Sequence, residues 1–111
     1  MTKAQNNKIK KEVRNIKDQL VKKYKPEKII LFGSAVSGKF TKDSDLDFLV
    51  IKKNTPYQGR ERVRQLYGLI DKEMAADFLV YRPREFERGV MSEDPFIKDI
   101  IKTGQVLYEK H

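Results

Sequence analysis

The sequence predicts a small α/β domain in which helices pack against a sheet. Three apolar runs of strand length occupy residues 29–32, 46–51 and 75–81. Around these runs, apolar residues recur at intervals of three and four, as they do on the buried face of an amphipathic helix. The chain has 111 residues, which fits one hydrophobic core, so we expect a single domain over residues 1–111.

The first predicted element is a basic amphipathic helix over residues 1–25. Its apolar positions are separated by four, three, four and four residues and form one face that packs on the domain: Ile9, Val13, Ile16, Leu20 and Tyr24. The opposite face carries Lys10, Lys11, Arg14, Lys17 and Lys22. We interpret this basic face as solvated, which is the usual state of a charged helix face, and a specific anionic partner stays open as the alternative. Pro26 ends the helix, and the residue before it, Lys25, is expected to be extended.

The net charge of +8 is concentrated in this helix. Residues 1–28 contain ten Lys or Arg and three acidic residues, whereas residues 29–111 are almost balanced. A net charge of +8 spread over the chain would suggest a nucleic-acid partner. Because the charge is confined to one helix, whose charged face is usually solvated, we do not expect nucleic acid as the main partner, and this helix is the one element that could bind it.

A second amphipathic helix is predicted after the polar turn at residues 52–56. Its apolar face is formed by Val63, Leu66, Tyr67, Ile70 and Met74. The arginines at positions 60, 62 and 64 are expected on the exposed side of this helix, in local ion pairs.

Two shorter helices and a tail complete the predicted fold. Pro83 can occupy a first helical turn, so a helix is predicted over residues 84–90. Asp94 opens the next helix, and Gly104 is expected as the glycine that follows its C-terminus. Residues 106–108 are interpreted as a short strand or a packed tail.

Two carboxylates mark the start of the second strand. Successive side chains of a strand alternate between faces, so Asp45 and Asp47 project to one side while Leu46 projects to the other. Two like charges at one site repel each other unless a cation lies between them. Carboxylate oxygens suit Mg²⁺, which keeps several waters and bridges protein to phosphate.

A glycine and a serine end the first strand. Gly33 allows the backbone to turn sharply, and Ser34 then begins a segment whose free N–H groups can face an anion. The sequence thus places a candidate phosphate-binding turn, Gly33-Ser34, in the same segment of the chain as the candidate metal ligands.

This segment also resembles two other motifs, and it has a third, simpler interpretation. Residues 33–39 fit the first part of a P-loop, but Phe40 stands where that loop needs Ser or Thr. Asp43, Asp45 and Asp47 imitate the start of an EF-hand, which would require Gly and Glu where the chain has Phe48 and Asn54. The third interpretation, a solvated turn leading into a half-buried strand, stays open.

The motif formed by Gly33-Ser34, ten intervening residues and Asp45-Leu46-Asp47 resembles the signature of the DNA polymerase β-like nucleotidyltransferases. At this length the chain is similar to their minimal subfamily, often abbreviated MNT. The resemblance implies a small fold with a mixed sheet and helices packed against it, and a catalytic core over residues 28–108. Members often read Gly-Ser-x-Ala-Arg-Gly, whereas this chain has Val36 and Ser37 in place of the Ala and Arg.

The resemblance also implies the residues and cofactors of a reaction. If the third run pairs beside the strand of Asp47, Asp77 can join the two acids; by resemblance it would then be the third metal-binding carboxylate and would accept the proton of the attacking hydroxyl. The alternative, an acid that is simply exposed at the end of its strand, stays open. Two Mg²⁺ ions and ATP would be used, and AMP would be transferred to an acceptor hydroxyl. Gly33 and Ser34 would hold phosphate, and Lys39 or Lys42 would replace the missing arginine.

Minimal nucleotidyltransferases of this kind resemble antitoxins that pair with a HEPN-type toxin. They neutralise the toxin by binding it and, in some pairs, by adenylylating one of its tyrosines. We therefore expect a hetero-complex with a HEPN-type protein, self-association into a homo-oligomer, or both. Two alternatives stay open: a noncatalytic antitoxin that neutralises a partner by occlusion, and a small-molecule adenylyltransferase.

The composition bounds the compartment in which the protein works. The chain has no cysteine, no apolar run of about 20 residues that could span a membrane, and no visible signal peptide. We expect a cytoplasmic protein with no membrane partner. The single histidine, His111, is the last residue, so a histidine-based active site is not expected.

Overall fold

The computed structural model describes residues 2–111 and contains five α-helices and four strands in this part of the chain. In chain order the elements are α1 (Lys3–Gln19), a π-helical turn (Leu20–Tyr24), β1 (Lys28–Phe32), α2 (Ser34–Ser37), β2 (Leu46–Ile51), α3 (Gly59–Leu69), β3 (Ala76–Tyr81), α4 (Pro83–Met91), α5 (Pro95–Thr103) and β4 (Gln105–Glu109). None of the helices in residues 2–111 is long and apolar enough to cross a membrane.

The four strands form one mixed sheet in the order β3-β2-β1-β4. β1 is antiparallel to both β2 and β4, and β2 is parallel to β3. The parallel pair requires a crossover connection, which α3 provides. The predicted α/β class is confirmed, and residues 106–108 belong to a strand.

The sheet is covered on both faces. On one face, Ile29, Phe48 and Val50 pack with Ile16 of α1 and Leu66 of α3. A smaller cluster on the other face joins the sheet residues Ile30, Leu49 and Ile51 to Ile100 of α5 and Phe86 of α4. Side chains that alternate with Phe48 along β2 therefore lie on the face that α4 and α5 cover.

The predicted apolar stripe of the N-terminal helix packs on the domain as expected. Ile16 and Leu20 are fully buried, and Tyr24 is 8% exposed. The prediction for Lys25 was wrong. This residue is left-handed, with φ 56° and ψ 58°, because its N–H closes the π-helical turn by donating to the carbonyl oxygen of Leu20 at 2.9 Å.

The arginine at position 62 of α3 is buried, contrary to the expectation that it would be exposed. Arg62 is 3% exposed and donates to the carboxylate of Glu85 at 2.6 and 3.1 Å. It also donates to the carbonyl oxygens of Pro56, Tyr57 and Val80. These contacts hold the turn before α3, β3 and α4 to one guanidinium group.

A glycine ends α5, but for a reason other than the one predicted. Gly104 has φ −73° and is not left-handed. A Cβ on this residue would lie 2.5 Å from the carbonyl oxygen of Ile100 and 2.7 Å from Cγ2 of Ile30. Glycine is therefore needed for the close approach of the end of α5 to β1.

A buried acid fastens α1 to the turn that precedes β3. Glu12 is 6% exposed, and its carboxylate accepts hydrogen bonds from the backbone N–H groups of Glu73 and Met74. Gln19 adds a second tie, since its side chain donates to the carbonyl oxygen of Asp71 at 2.6 Å and accepts from the N–H of Asp71 at 2.8 Å. The position of the turn at residues 71–74 is thus fixed by the N-terminal helix.

Candidate functional site

The candidate site lies at the end of the sheet where β1 ends and both β2 and β3 begin. We call this end, with Asp45, Asp47 and Asp77, the carboxylate edge. Asp47 of β2 is paired directly with Asp77 of β3 in the parallel register. On its other side, Asp47 is paired with Phe32, the last residue of β1. Asp45 comes just before β2, and Asp45 and Asp47 are partly buried, whereas Asp77 is exposed.

The electrostatics of the site set Asp47 apart. Burial raises the pKa of the Asp47 carboxyl above its ordinary value, and the negative charges of Asp77 and Asp45 raise it further. The three acids are therefore close enough to repel one another. A cation among them would relieve this repulsion and favour the ionised form of Asp47.

A tyrosine that the sequence analysis assigned to an apolar helix face belongs to this site. The hydroxyl of Tyr67 donates to the carbonyl oxygen of Ala76 at 2.9 Å and lies 3.4 Å from Oδ1 of Asp77. Burial raises the pKa of Tyr67, and the charges of Asp77 and Asp45 act in the same direction. The signal available in the sequence was a tyrosine, with its polar hydroxyl, at the edge of an apolar stripe.

Gly33 brings the backbone against the carboxylate of Asp47. The residue connects β1 to α2 with φ 78° and ψ −150°, a conformation open essentially to glycine alone. A Cβ at this position would lie 2.3 Å from Oδ2 of Asp47. Ser34 follows as the first residue of α2, so the candidate phosphate turn begins against the carboxylate of Asp47.

The residues expected to replace the missing arginine lie on an exposed loop. The side chains of Lys39 and Lys42 are exposed, and neither forms an ion pair within residues 2–111. Lys42 lines a cavity of about 510 Å³ together with Asp45, and Lys39 lies next to Gly38 in the loop. Ser37, which stands where the family often has arginine, donates its hydroxyl to the carbonyl oxygen of Ser34 at 3.4 Å.

The three carboxylates are suitable ligands for a divalent cation, although they do not surround one position. No group of three or more His, Cys, Asp or Glu side chains within residues 2–111 is arranged to enclose a metal ion. The acids at the edge nevertheless offer oxygen atoms, which hard cations such as Mg²⁺ prefer. The Asp47 carboxylate also lies against the backbone of Gly33, in a space that a Cβ at position 33 would occupy.

Comparisons with known proteins identify the family of the chain. Residues 14–111 match the family described as polymerase beta, nucleotidyltransferase. Among solved structures, the chain is similar to a proposed nucleotidyltransferase from Sulfolobus solfataricus, with a TM-score of 0.65 and 19% sequence identity over 95% of this chain and 84% of the other. No curated protein matches significantly. The family match covers most of the chain, which therefore belongs to the polymerase beta nucleotidyltransferase family.

Proposed function

We propose that this protein transfers AMP from ATP to an acceptor hydroxyl in a Mg²⁺-dependent reaction, with Asp45, Asp47 and Asp77 as the metal-binding residues. The observation that carries the proposal is the direct pairing of Asp47 with Asp77 beside the Gly33 backbone. Family membership supports nucleotidyl transfer in general. The choice of metal rests on the all-carboxylate ligand set.

In the proposed reaction, the acceptor oxygen forms a bond to the α-phosphorus of ATP while the bond between this phosphorus and the bridging oxygen breaks. Pyrophosphate leaves, and the acceptor proton passes to the carboxylate of Asp77, whose exposure leaves it open to a hydroxyl group. Bound Mg²⁺ supplies charge neutralisation for the triphosphate and activation of the attacking oxygen. Gly33 and Ser34 contact phosphate through their backbone, and Lys39 or Lys42 supplies positive charge.

We further propose that the acceptor is a hydroxyl on a partner protein of the HEPN type, and that the chain acts as its antitoxin. This part of the proposal is supported by the resemblance of the Gly33-Ser34 and Asp45-Leu46-Asp47 motif to the minimal nucleotidyltransferases. The exposed edge that carries Asp77 leaves room for an acceptor side chain to approach from outside.

The experiment compares two positions of the label in ATP. The chain is incubated with Mg²⁺ and the protein encoded beside it, using ATP labelled at either the α- or the γ-phosphate. We expect the partner to take up the α-label alone, and we expect EDTA or Asp47→Asn to abolish the uptake. Uptake of the γ-label would instead indicate phosphoryl transfer and would contradict the proposal.

A second candidate function, neutralisation of the partner by occlusion without catalysis, is favoured by one specific observation. Ser37 replaces the arginine that family members often use at the phosphate, and its hydroxyl bonds within α2. If occlusion is the function, the triple variant Asp45→Asn, Asp47→Asn, Asp77→Asn will neutralise the partner as well as the natural chain does. The enzyme proposal requires that this variant lose the label transfer.

A further inference from the structure

A groove runs along α1 between Asn6 and Lys17 and adjoins the cavity that Asp45 lines. Three adjoining cavities, of about 510, 270 and 330 Å³, share Ile9 as a common wall residue. The first is lined by Asp45 and Lys42, the second by Phe40 and Gly38, and the third by residues of α1, β1 and β4. We call the second and third cavities the α1 groove.

The α1 groove combines an aliphatic floor with basic walls. Its floor and sides include Ile9, Val13, Leu31, Ala35 and Leu107. Three cations line it from α1, namely Lys10, Arg14 and Lys17, and no acidic residue of the described chain lines either cavity. Within residues 2–111, only Lys17 of these three has an ion-pair partner, Asp18 at 2.7 Å.

The position of the groove in the fold explains why it stays open. Ile16 and Leu20 of α1 are fully buried. Leu107, by contrast, is only partly buried, because it belongs to β4, the outer strand of the sheet beside β1. The wall residues Ile9 and Lys10 also precede residue 14, where the family match begins. The family match therefore does not extend to these two wall residues, whereas Arg14, Lys17 and the groove residues of β1 and β4 lie within it.

We propose that the α1 groove binds an acidic segment of a partner polypeptide that carries aliphatic side chains. Charge complementarity favours an anionic ligand, because no acidic residue lines the groove and Lys10 and Arg14 have no ion-pair partner within residues 2–111. The aliphatic floor requires apolar groups on the same ligand. A helix or strand with leucine-like residues on one side and Asp or Glu beside them satisfies both requirements.

The lining also distinguishes a polypeptide from a single-stranded nucleic acid. Proteins that hold single strands stack the bases on exposed aromatic side chains. Phe40 is the one aromatic residue among the described residues that line the α1 groove, and it is 7% exposed. The groove thus offers charge without a stacking surface. The inference does not rest on the transfer reaction, since a segment can bind here whether or not AMP is transferred.

The experiment uses a synthetic probe with the proposed chemistry. The probe is a fluorescent peptide with Leu at helical spacing and Glu at the flanking positions, and the comparison ligands are the same peptide with Lys for Glu, polyglutamate, and a single-stranded oligonucleotide. Anisotropy is measured with the natural chain and with the double variant Lys10→Glu, Arg14→Glu. The matched control is Lys22→Glu, Lys102→Glu, which makes the same change in net charge at exposed positions outside the groove.

We expect the Leu/Glu peptide to bind more tightly than all three comparison ligands. The groove variant should weaken its binding by about tenfold or more, whereas the control variant should change it by less than about threefold, because distant surface charges are screened by salt. Ile9→Asn should also weaken binding, since it removes part of the apolar floor. Equal binding of the Leu/Glu and Leu/Lys peptides, absence of binding, or tighter binding of the oligonucleotide that the groove variant abolishes would each overturn the proposal.

Discussion

Asp47 and Asp77 are direct partners across the parallel pairing of β2 with β3. Parallel neighbours on adjacent strands are separated by about 4.8 Å, so two carboxylates on one face of such a pair repel each other. Burial of the Asp47 carboxyl is the main cause of its raised pKa, and the negative charge of Asp77 raises the pKa further, so the arrangement carries a cost in stability. Such a cost is characteristic of sites where the charges serve a ligand.

The first prediction concerns Asp47→Asn in the absence of metal. Because the pKa of Asp47 is raised in the native chain, the native state binds more protons than the unfolded state between the ordinary value of 3.8 and the raised value. Stability is therefore lost as pH rises through this window. The variant lacks the carboxylate, so it should be more stable than the natural chain at pH 7 in EDTA, and the difference should shrink as the pH falls towards 3.8.

Denaturant unfolding at several pH values measures this difference. The matched control is Asp43→Asn, which removes an exposed carboxylate from the loop before β2. It should change the free energy of unfolding by less than about 0.5 kcal/mol at any pH. A natural chain that is more stable than Asp47→Asn at pH 7 would contradict the raised pKa of Asp47.

The second prediction compares two glycines with positive φ. Gly33→Ala should place a Cβ against Oδ2 of Asp47, so it should both destabilise the chain and displace the carboxylate. Gly38 has φ 81° with open space around it, so Gly38→Ala should cost only the left-handed strain of about 1–2 kcal/mol. Transfer activity measured on the folded fraction should fall in Gly33→Ala and be retained in Gly38→Ala. Equal activity in the two variants would refute a role for the close approach.

The third prediction concerns the buried guanidinium of α3. Arg62→Ala should remove the donor from three backbone carbonyl oxygens and break the pair with Glu85, whose side chain is 36% exposed, so it should lower the free energy of unfolding by about 2–3 kcal/mol. Arg64 in the same helix forms an exposed pair with Glu61, so Arg64→Ala should cost less than about 1 kcal/mol. Urea unfolding of both variants gives the comparison. Similar midpoints for the two would mean that the burial of Arg62 contributes little.

The same pair predicts a dependence on pH. The hydrogen bond from Arg62 lowers the pKa of Glu85 below its ordinary value of 4.5. This stabilisation is present above pH 4.5 and is lost as the pH falls through the lowered pKa. The stability gap between the natural chain and Arg62→Ala should therefore narrow in acid, and a gap that widens as the pH falls would contradict the assignment.

The fourth prediction concerns the tie between α1 and the turn before β3. Glu12→Ala should leave the N–H groups of Glu73 and Met74 without their acceptor, at a cost of about 2–3 kcal/mol. Hydrogen exchange of these two N–H groups should become faster. Asp18→Ala, an exposed change on the same helix, is the control and should leave their exchange unchanged. Unchanged exchange in Glu12→Ala would show that Glu12 does not hold the turn before β3 in place.

Much of the fold could be predicted from the sequence because its signals are local. The period of the apolar residues in α1 indicates its buried face, and Ile16 and Leu20 are indeed fully buried. The alternation in β2 correctly predicts that Phe48 is buried while Asp47 is on the other face. The pairing of β2 with β3, by contrast, is a contact between segments that are distant in the chain, so it could not be predicted from local patterns. Whether Asp77 joins the site depends on this pairing.

The residues that the sequence analysis missed depend on contacts between distant parts of the chain. Arg62 and Glu12 are charged, so their place in the helical pattern suggests exposure, and only the groups that meet them in the fold make their burial possible. Tyr67 was assigned to the apolar face because its neighbours share that period, yet its hydroxyl lies beside Asp77. Lys25 was assigned from the rule for residues before proline, which the closing bond of the π-helical turn overrides.

The carboxylate edge is proposed to bind a metal and a nucleotide together. The most direct test is thermal melting in the presence of Mg²⁺ alone, ATP alone, and Mg²⁺ with ATP. We predict that Mg²⁺ with ATP, at roughly ten times the dissociation constant, raises the Tm of the natural chain by about 5 °C or more, and that either alone raises it less. Asp47→Asn with Asp77→Asn should abolish the shift, whereas the control Asp43→Asn should keep it. A natural chain whose Tm is unchanged by Mg²⁺ with ATP, or a double variant that keeps the full shift, would contradict the account.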